Sequence, residues 1–240
     1  MARTPYDEVV EEVVEEFAHT TGGSVDRYKY LVLWMAQKVD FSKVDSQATL
    51  LRWMDRVIDE EAERLHIDRK DYERRFKGMI KFLRDPHLAW RGVIVPYQNQ
   101  LVEHFISEIS ERGAVAKTLK EYQEILRELE EFTLPPAAQP IYRRQIERLK
   151  QNMVQTVELL QRAERLAEKY AKADLSKMPE RDIYRAFRNV QKVRRYIQAR
   201  VTAIDVIHDL RAAEERLLEE YRRRTREFVR RLLEARRQRR

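Results

Sequence analysis

The sequence predicts an all-α protein, and three observations lead to that prediction. The 240 residues include only five glycines, the last at Gly113, so an extended β domain is not expected in the second half. From Pro179 to Arg240, 62 residues contain no further proline or glycine, the strongest helix punctuators. Apolar residues recur at helical spacing, while charged residues make up 37 % of the chain. This combination is typical of solvated helices and not of a disordered chain.

The first 86 residues predict four helices with recognisable ends. Thr4 and Pro5 suit the start of the first helix, and Gly22 suits its end. The second helix is apolar nearly all round, which indicates a buried position at the centre of a bundle. Asp68 can cap the fourth helix, and Pro86 ends it. The four predicted helices cover about residues 5–21, 25–39, 46–66 and 69–85.

The apolar segment 88–97 lies between two prolines and is too short for a helix of its own. We expect a loop that plugs the bundle with Trp90 and Ile94. The alternative is an exposed patch used for subunit contact. Trp34 and Trp53 also lie in strongly apolar stretches, so all three tryptophans are expected to pack in the core.

A proline-rich segment at residues 134–140 follows two further predicted helices, 97–112 and 115–132, which are separated by a glycine. Three prolines in seven residues favour an extended, semi-rigid connection. We therefore predict two domains. Residues 1–133 form a helical bundle, and residues 141–240 form a long helical hairpin with a basic C-terminal arm.

The second predicted domain begins with a helix of about 33 residues, followed by a turn at 174–178. The segment after Pro179 is expected to be one continuous helix or two nearly collinear helices. Apolar spacing near 3.5 residues suits antiparallel coiled-coil pairing with the preceding helix. That helix is only about half as long, so residues 210–240 need another partner: the N-terminal bundle, a ligand or another subunit. The expected oligomer contact is the apolar edge formed by Leu217, Tyr221, Phe228 and Leu232.

Positive charge is concentrated at the C-terminal end. Residues 181–240 hold 18 arginines and one lysine against nine acids, whereas the whole chain has a net charge of only +7. The arginine guanidinium binds phosphate in a bidentate manner and stays charged at any relevant pH. The predicted nucleic-acid-binding residues are Arg222, Arg223, Arg224, Arg226, Arg230, Arg231, Arg236, Arg237, Arg239 and Arg240.

These features predict a non-enzymatic structural protein that coats or compacts nucleic acid, as nucleocapsid and chromatin subunits do. Arginines along one ridge contact phosphates, so binding would be independent of base sequence. Duplex DNA is the expected partner, with RNA left open. The main alternative is a coiled-coil scaffold that binds itself, a related subunit or an acidic protein. A further alternative is a peripheral membrane protein, because arginines flank Phe228 and Leu232.

Catalytic and metal sites are not expected. The chain lacks cysteine and the common catalytic motifs, and no motif matches a known family. An acid three residues before a histidine is a spacing found in di-iron helix bundles. Two of these histidines are expected at helix ends, where they interact favourably with the helix dipole. The three pairs are Glu16/His19, Glu63/His66 and Asp205/His208, and His104 and His208 are expected to be core or interface histidines.

The remaining expectations concern location. The first residues have no apolar core of a signal peptide, and the longest apolar stretch, residues 30–36, is too short to cross a bilayer. We expect an intracellular protein or one packaged within a virion. The lack of cysteine and the scarcity of asparagine hint at a hot habitat, although the glutamine content weakens that hint.

Overall fold

The computed structural model describes residues 25–238, apart from the side chains of residues 25–31, 83, 86, 87 and 238. The described residues contain helices and no strand, which confirms the all-α prediction. None of the helices in this range has an apolar stretch long enough to cross a membrane. The predicted first helix and its start at Thr4 lie outside the described residues.

Nine α-helices make up most of the described chain. They are α1 (Val25–Lys38), α2 (Gln47–Arg64), α3 (Arg69–Arg75), α4 (Lys77–Arg84), α5 (Val95–Val115), α6 (Leu119–Glu131), α7 (Pro140–Lys172), α8 (Glu180–Gln198) and α9 (Ile204–Gln238). Helix α7 has 33 residues, as the sequence predicts. The single helix predicted between Asp68 and Pro86 is instead two helices, because the backbone leaves helical geometry at Phe76 (φ −107°, ψ 30°).

The described residues divide into two compact units. The first unit takes residues 25–108 and 132–147, and the second takes residues 109–131 and 148–238. Helices α5 and α7 each contribute residues to both units. These units differ in their ranges from the two domains predicted above, and the division at residues 134–140 into independently folding domains stays a prediction.

The first unit is built around an apolar cluster to which α1, α2 and α5 contribute. Fully buried members include Val32, Met35, Leu50 and Tyr97, and Phe41 meets the Tyr97 ring edge-on at 5.4 Å between centroids. All three tryptophans are partly buried against this cluster, as predicted. They are Trp34, Trp53 and Trp90.

Segment 86–97 is helical, so the expectation of a non-helical plug is wrong. Residues Pro86–Ile94 form π-helical turns that lead directly into α5. The second proline, Pro96, falls where the π-helical turns pass into α5, and because it has no N–H it cannot donate to a carbonyl of the preceding turn. Val93 and Ile94 are fully buried, so the burial of the plug is confirmed and an exposed contact patch is not formed there.

The proline-rich segment is bound to the first unit by the side chain of Gln98. This side chain is fully buried, and its amide nitrogen donates to the carbonyl oxygens of Phe41 and Val44 at 2.8 Å. Its amide oxygen accepts the N–H of Ala137 at 2.6 Å. A buried amide of this kind loses little by leaving water, because its donors and its acceptor all have partners.

The second unit contains an antiparallel hairpin of α8 and α9, which are the two helices with the most extensive contact. The prediction of one continuous or nearly collinear helix is therefore wrong, as is pairing with the preceding helix as the main contact. The hairpin's register is shown by Tyr184 and Tyr221, whose ring centroids are 5.4 Å apart. Helix α9 has 35 residues against 19 in α8, so its C-terminal end extends past the first turn of α8.

Residues 199–203 form the turn of the hairpin, although they include no glycine or proline. Long-range hydrogen bonds hold this turn against residues 116–119. The Thr202 hydroxyl donates to the carbonyl of Ala116 at 2.5 Å, and the Ile204 N–H donates to that of Lys117 at 2.7 Å. The carboxylate of Asp205 accepts the Leu119 N–H at 2.9 Å. Tertiary partners thus end α8 where no local helix breaker is present.

One ion pair inside the hairpin is largely shielded from solvent. Arg194 of α8 donates to Glu214 of α9 at 2.6 Å, and Gln191 adds a hydrogen bond at 3.1 Å. The two charged side chains are only 16 % and 12 % exposed. Burial alone would raise the pKa of Glu214, but these hydrogen bonds outweigh burial and lower it. The pair therefore joins α8 to α9 with both charges compensated.

Candidate nucleic-acid interface

The predicted arginine cluster begins where α9 is still packed in the hairpin, and one of its members has a structural role. Arg224 donates to the carbonyl oxygens of Leu175, Ser176 and Met178, at 2.5–3.0 Å. Its third nitrogen donates to Glu220 at 2.7 Å. The Arg224 side chain is 19 % exposed, so it has no free hydrogen-bonding edge for an external phosphate. Arg216 makes the same kind of contact with the carbonyl of Ala173 at 2.9 Å.

Arg223 is exposed but already paired with two acids of α9. It donates to both carboxylate oxygens of Glu220 and to Glu227, each at 2.7–2.9 Å. Hydrogen bonds from Arg223 and then Arg224 lower the pKa of Glu220 to about 2. The positive charge of Arg223 is therefore largely offset within its own helix.

From residue 222 onward, six other arginines of α9 are exposed, and none of them has an acidic partner within the described residues. They rise along the helix in steps of about 1.5 Å per residue. At about 100° per residue, four of them share an arc of about 80° on the side opposite Leu217. We call the six the α9 arginine set: Arg222, Arg226, Arg230, Arg231, Arg236 and Arg237. Arg239 and Arg240 lie outside the described residues.

The end of α9 has no cover from the rest of the second unit. Every side chain from Thr225 to Arg237 is exposed. We call residues 226–238 the α9 tip. Four apolar side chains lie on it, each about half exposed: Phe228, Val229, Leu232 and Leu233.

The predicted oligomer contact divides at the same place. Leu217 is fully buried inside the monomer, so its assignment to an exposed edge is wrong. Tyr221 is partly buried, with its ring against that of Tyr184. Phe228 and Leu232 remain exposed, at 60 % and 54 %.

Helix α8 carries basic residues that sequence reasoning did not single out. We call them the α8 basic ridge: Arg181, Arg185, Arg188, Lys192 and Arg195, all of which are exposed. Their alternating spacing of four and three residues keeps them on one side of a helix. That spacing is visible in the sequence, but the prediction was based on the denser run of arginines at the C-terminus.

Three histidines, His66, His104 and His208, lie at a helix end or on an exposed helix surface. His66 has a positive φ of 53° just past α2, and its N–H and that of Ile67 bond back to Glu63 and Ala62. This is the left-handed helix end that glycine usually supplies. His104 and His208 are exposed, so they are not core residues. Asp205 is engaged in the turn described above.

Residues 25–238 contain no cluster of acids and histidines able to hold a metal ion. The pair Glu16/His19 lies outside this range. No family model, no curated protein and no solved structure matches the chain.

Proposed function

We propose that this protein binds nucleic acid without catalysing a reaction, and that it coats or compacts DNA or RNA through the α9 arginine set. The observation that carries the proposal is the contrast within one helix. Arg223 and Arg224 have intramolecular partners, whereas the six arginines of the set are exposed and form no ion pair with an acid of the described residues. Such a density of uncompensated guanidinium groups favours a polyanion as the partner.

The geometry suits contact with a phosphate backbone more than with base edges. Arg222, Arg226 and Arg230 follow one another at four-residue intervals, about 6 Å along the helix axis. Duplex DNA carries a phosphate about every 3.4 Å along each strand, so successive guanidinium groups would each meet a phosphate. Contacts of this kind position a protein on the duplex without reading its sequence.

The acids with lowered pKa values support a structural and non-catalytic interpretation. Hydrogen bonds from Lys38 and Arg64 lower the pKa of Glu61, and those from Arg112 lower the pKa of Glu128. Each lowered pKa is explained by an ion pair that joins two helices or neighbouring turns of one helix.

Binding should be measured by fluorescence anisotropy with a 30-base-pair duplex across a range of salt concentrations. Replacing Arg226, Arg230 and Arg237 together by Gln should reduce the slope of log K against log salt by about three, since each lost phosphate contact removes about 0.9. The single variants Arg230→Gln and Arg223→Gln form a matched pair, with the same charge change in the same helix. Arg230→Gln should reduce the slope by about one and Arg223→Gln by much less.

The proposal fails if the wild-type protein shows no salt-dependent binding to duplex DNA or to single-stranded RNA. It also fails if the triple variant binds as tightly as the wild type. Equal losses for Arg230→Gln and Arg223→Gln would show that overall charge, and not the exposed set, determines the affinity.

A second candidate function is self-association, and the apolar side chains of the α9 tip favour it. An uncovered group of four large apolar residues on one helix end is a typical contact surface. Sedimentation should show dimers or larger species that dissociate when Phe228 and Leu232 are both replaced by Asp. Val115→Asp is the control, because Val115 is also exposed but lies away from the tip.

A further inference from the structure

The α8 basic ridge runs along nearly the whole length of its helix. From Arg181 to Arg195 the five side chains cover 14 residue steps, or about 21 Å of helix axis. At about 100° per residue they stay within an arc of about 80°. The residues that α8 buries lie on the opposite side: Ile183, Ala186, Val190 and Ile197. The ridge is therefore centred on the solvent side of α8.

An exposed helix face usually mixes charges of both signs, as α7 does with the pairs Arg162–Glu158 and Lys172–Glu168. In α8 the only acids are Glu180 and Asp182, both in its first turn. Residues 183–198 contain no acid at all. The ordinary explanation of a solvated face with alternating signs does not fit this helix.

Most of the ridge charge is not compensated within the protein. Arg185 lies 3.8 Å from Asp182, and Arg188 donates to the neutral side chain of Gln191 at 3.3 Å. Arg181 and Lys192 form no hydrogen bond or ion pair within residues 25–238. The neighbouring Arg194, which points into the hairpin, has the partner Glu214. Of the α8 arginines, the inward-facing Arg194 thus has a shielded acidic partner, whereas on the ridge only Arg185 has an acid nearby.

The chemistry of the ridge favours nucleic acid over a lipid surface. The exposed large apolar side chains of α8 are Tyr184 and Tyr196, which flank the ridge, and neither is an aliphatic side chain that would enter a bilayer. A tyrosine hydroxyl can donate to phosphate. At about 3.4 Å per nucleotide, a ridge of about 21 Å spans about six nucleotides.

The ridge and the α9 arginine set lie on different helices. The ridge, and four of the six arginines of the set, lie on the side away from the apolar residues that their helix buries. Because α8 and α9 pack against each other, their outer sides face different directions. We propose that the α8 basic ridge is a second nucleic-acid-binding surface, so that one molecule holds two nucleic-acid segments at once. This inference rests on the proposed function of the α9 arginine set, and it supplies a physical route to compaction by bridging.

The test is a bridging assay with the full-length protein. One 30-base-pair duplex is fixed to beads, and capture of a second, fluorescent duplex is measured. The ridge variant replaces Arg181, Arg188 and Lys192 by Glu. The matched control replaces Arg56, Arg75 and Lys77 of the first unit by Glu, because these are also exposed and form no ion pair in the described residues. Both variants change the net charge by the same amount.

We expect the ridge variant to bind the immobilised duplex through the α9 arginine set but to capture at least about tenfold less of the second duplex. The control should bridge like the wild type. Circular dichroism checks that the ridge variant is folded.

Four outcomes would overturn the inference. A wild-type protein that binds but does not bridge, or a ridge variant that bridges like the wild type, removes the second surface and leaves the proposed function intact. A ridge variant that loses binding to poly-glutamate while its bridging is unchanged assigns the ridge to an acidic protein. If the wild type binds no duplex, both the proposed function and this inference fail.

Discussion

The base of α9, residues 204–225, and the α9 tip differ in what surrounds similar side chains. In the base, Arg224 is held by carbonyl groups, Leu217 is buried, and Glu214 has a partner in α8. In the tip, arginines of the same type are exposed, and apolar side chains such as Phe228 remain uncovered. The change occurs where α9 passes the first turn of α8, and no break in the helix marks it.

This difference shows that an arginine-rich run is not one functional unit. Guanidinium groups that face carbonyl oxygens or acids stabilise the fold, while exposed ones without such partners, Arg222 and the arginines of the tip, are available to an external anion. Stability measurements should therefore separate the two groups as clearly as binding measurements do.

The largest expected effect comes from the ion pair that joins the base of α9 to α8. Arg194→Met leaves the carboxylate of Glu214 shielded from water without its main partner, so the free energy of unfolding should fall by about 3 kcal/mol. Urea denaturation monitored by circular dichroism measures this. The adjacent Arg195→Met changes an exposed side chain and should alter stability by less than about 0.5 kcal/mol. Similar losses for the two variants would mean that the pair is not shielded.

The next effect is on stability, and it is seen by comparing Arg224 of the base with Arg230 of the tip. Arg224→Gln removes hydrogen bonds to three backbone carbonyls, so it should lower the free energy of unfolding by about 2 kcal/mol. Arg230→Gln should leave stability unchanged within about 0.5 kcal/mol and weaken only duplex binding. Urea denaturation and fluorescence anisotropy on both variants test whether Arg224 mainly affects stability and Arg230 mainly affects duplex binding. An unstable Arg230→Gln variant would contradict the uncovered position of the tip.

A smaller effect appears on acidification. The pKa of Glu220 is about 2 in the folded protein against an ordinary value of 4.5, so its contribution to stability is complete above pH 4.5. That contribution is lost as the pH falls from 4.5 toward 2, because the carboxylate then takes up a proton and loses its arginine partners. The difference in Tm between wild type and Glu220→Gln should shrink over this range. A difference that stays constant down to pH 2 would contradict the lowered pKa.

The smallest effect lies outside α9 and tests whether stability and binding are separate. His66→Gly should raise the free energy of unfolding by about 0.5–1 kcal/mol, because glycine adopts a positive φ without steric cost. The same change at His104, in the interior of α5, should lower it by about 1 kcal/mol. Neither variant should alter the salt dependence of duplex binding. In thermal denaturation, Tm should rise for His66→Gly and fall for His104→Gly.

Local signals allowed much of the fold to be predicted. The apolar spacing after the proline-rich segment predicted the length of α7, and glycine scarcity predicted the all-α class. The hairpin turn could not be predicted, because residues 199–203 contain no helix breaker. Its stabilising partners, Ala116 and Lys117, lie more than 80 residues away in the sequence. Long-range hydrogen bonds of this kind leave no trace in local composition.

The candidate site was predictable in composition but not in detail. Arg224 and Arg230 cannot be told apart in the sequence, since both sit in the same arginine run. Only the position of residues 175–178 beside the helix gives Arg224 its internal role. The α8 basic ridge, in contrast, could have been found from the four-and-three spacing of its cations, which is a local signal.

The two arginines that donate to carbonyls near the end of α7 also restrict how this chain can vary in length. Surface connections normally tolerate inserted residues. The connection between α7 and α8 is different, because Arg216 and Arg224 hold carbonyl groups at both its beginning and its end. These arginines are two helical turns apart on α9, so a single added residue would leave one of them without its acceptors. Related chains should therefore keep this connection at constant length, and a tag or reporter should be inserted elsewhere.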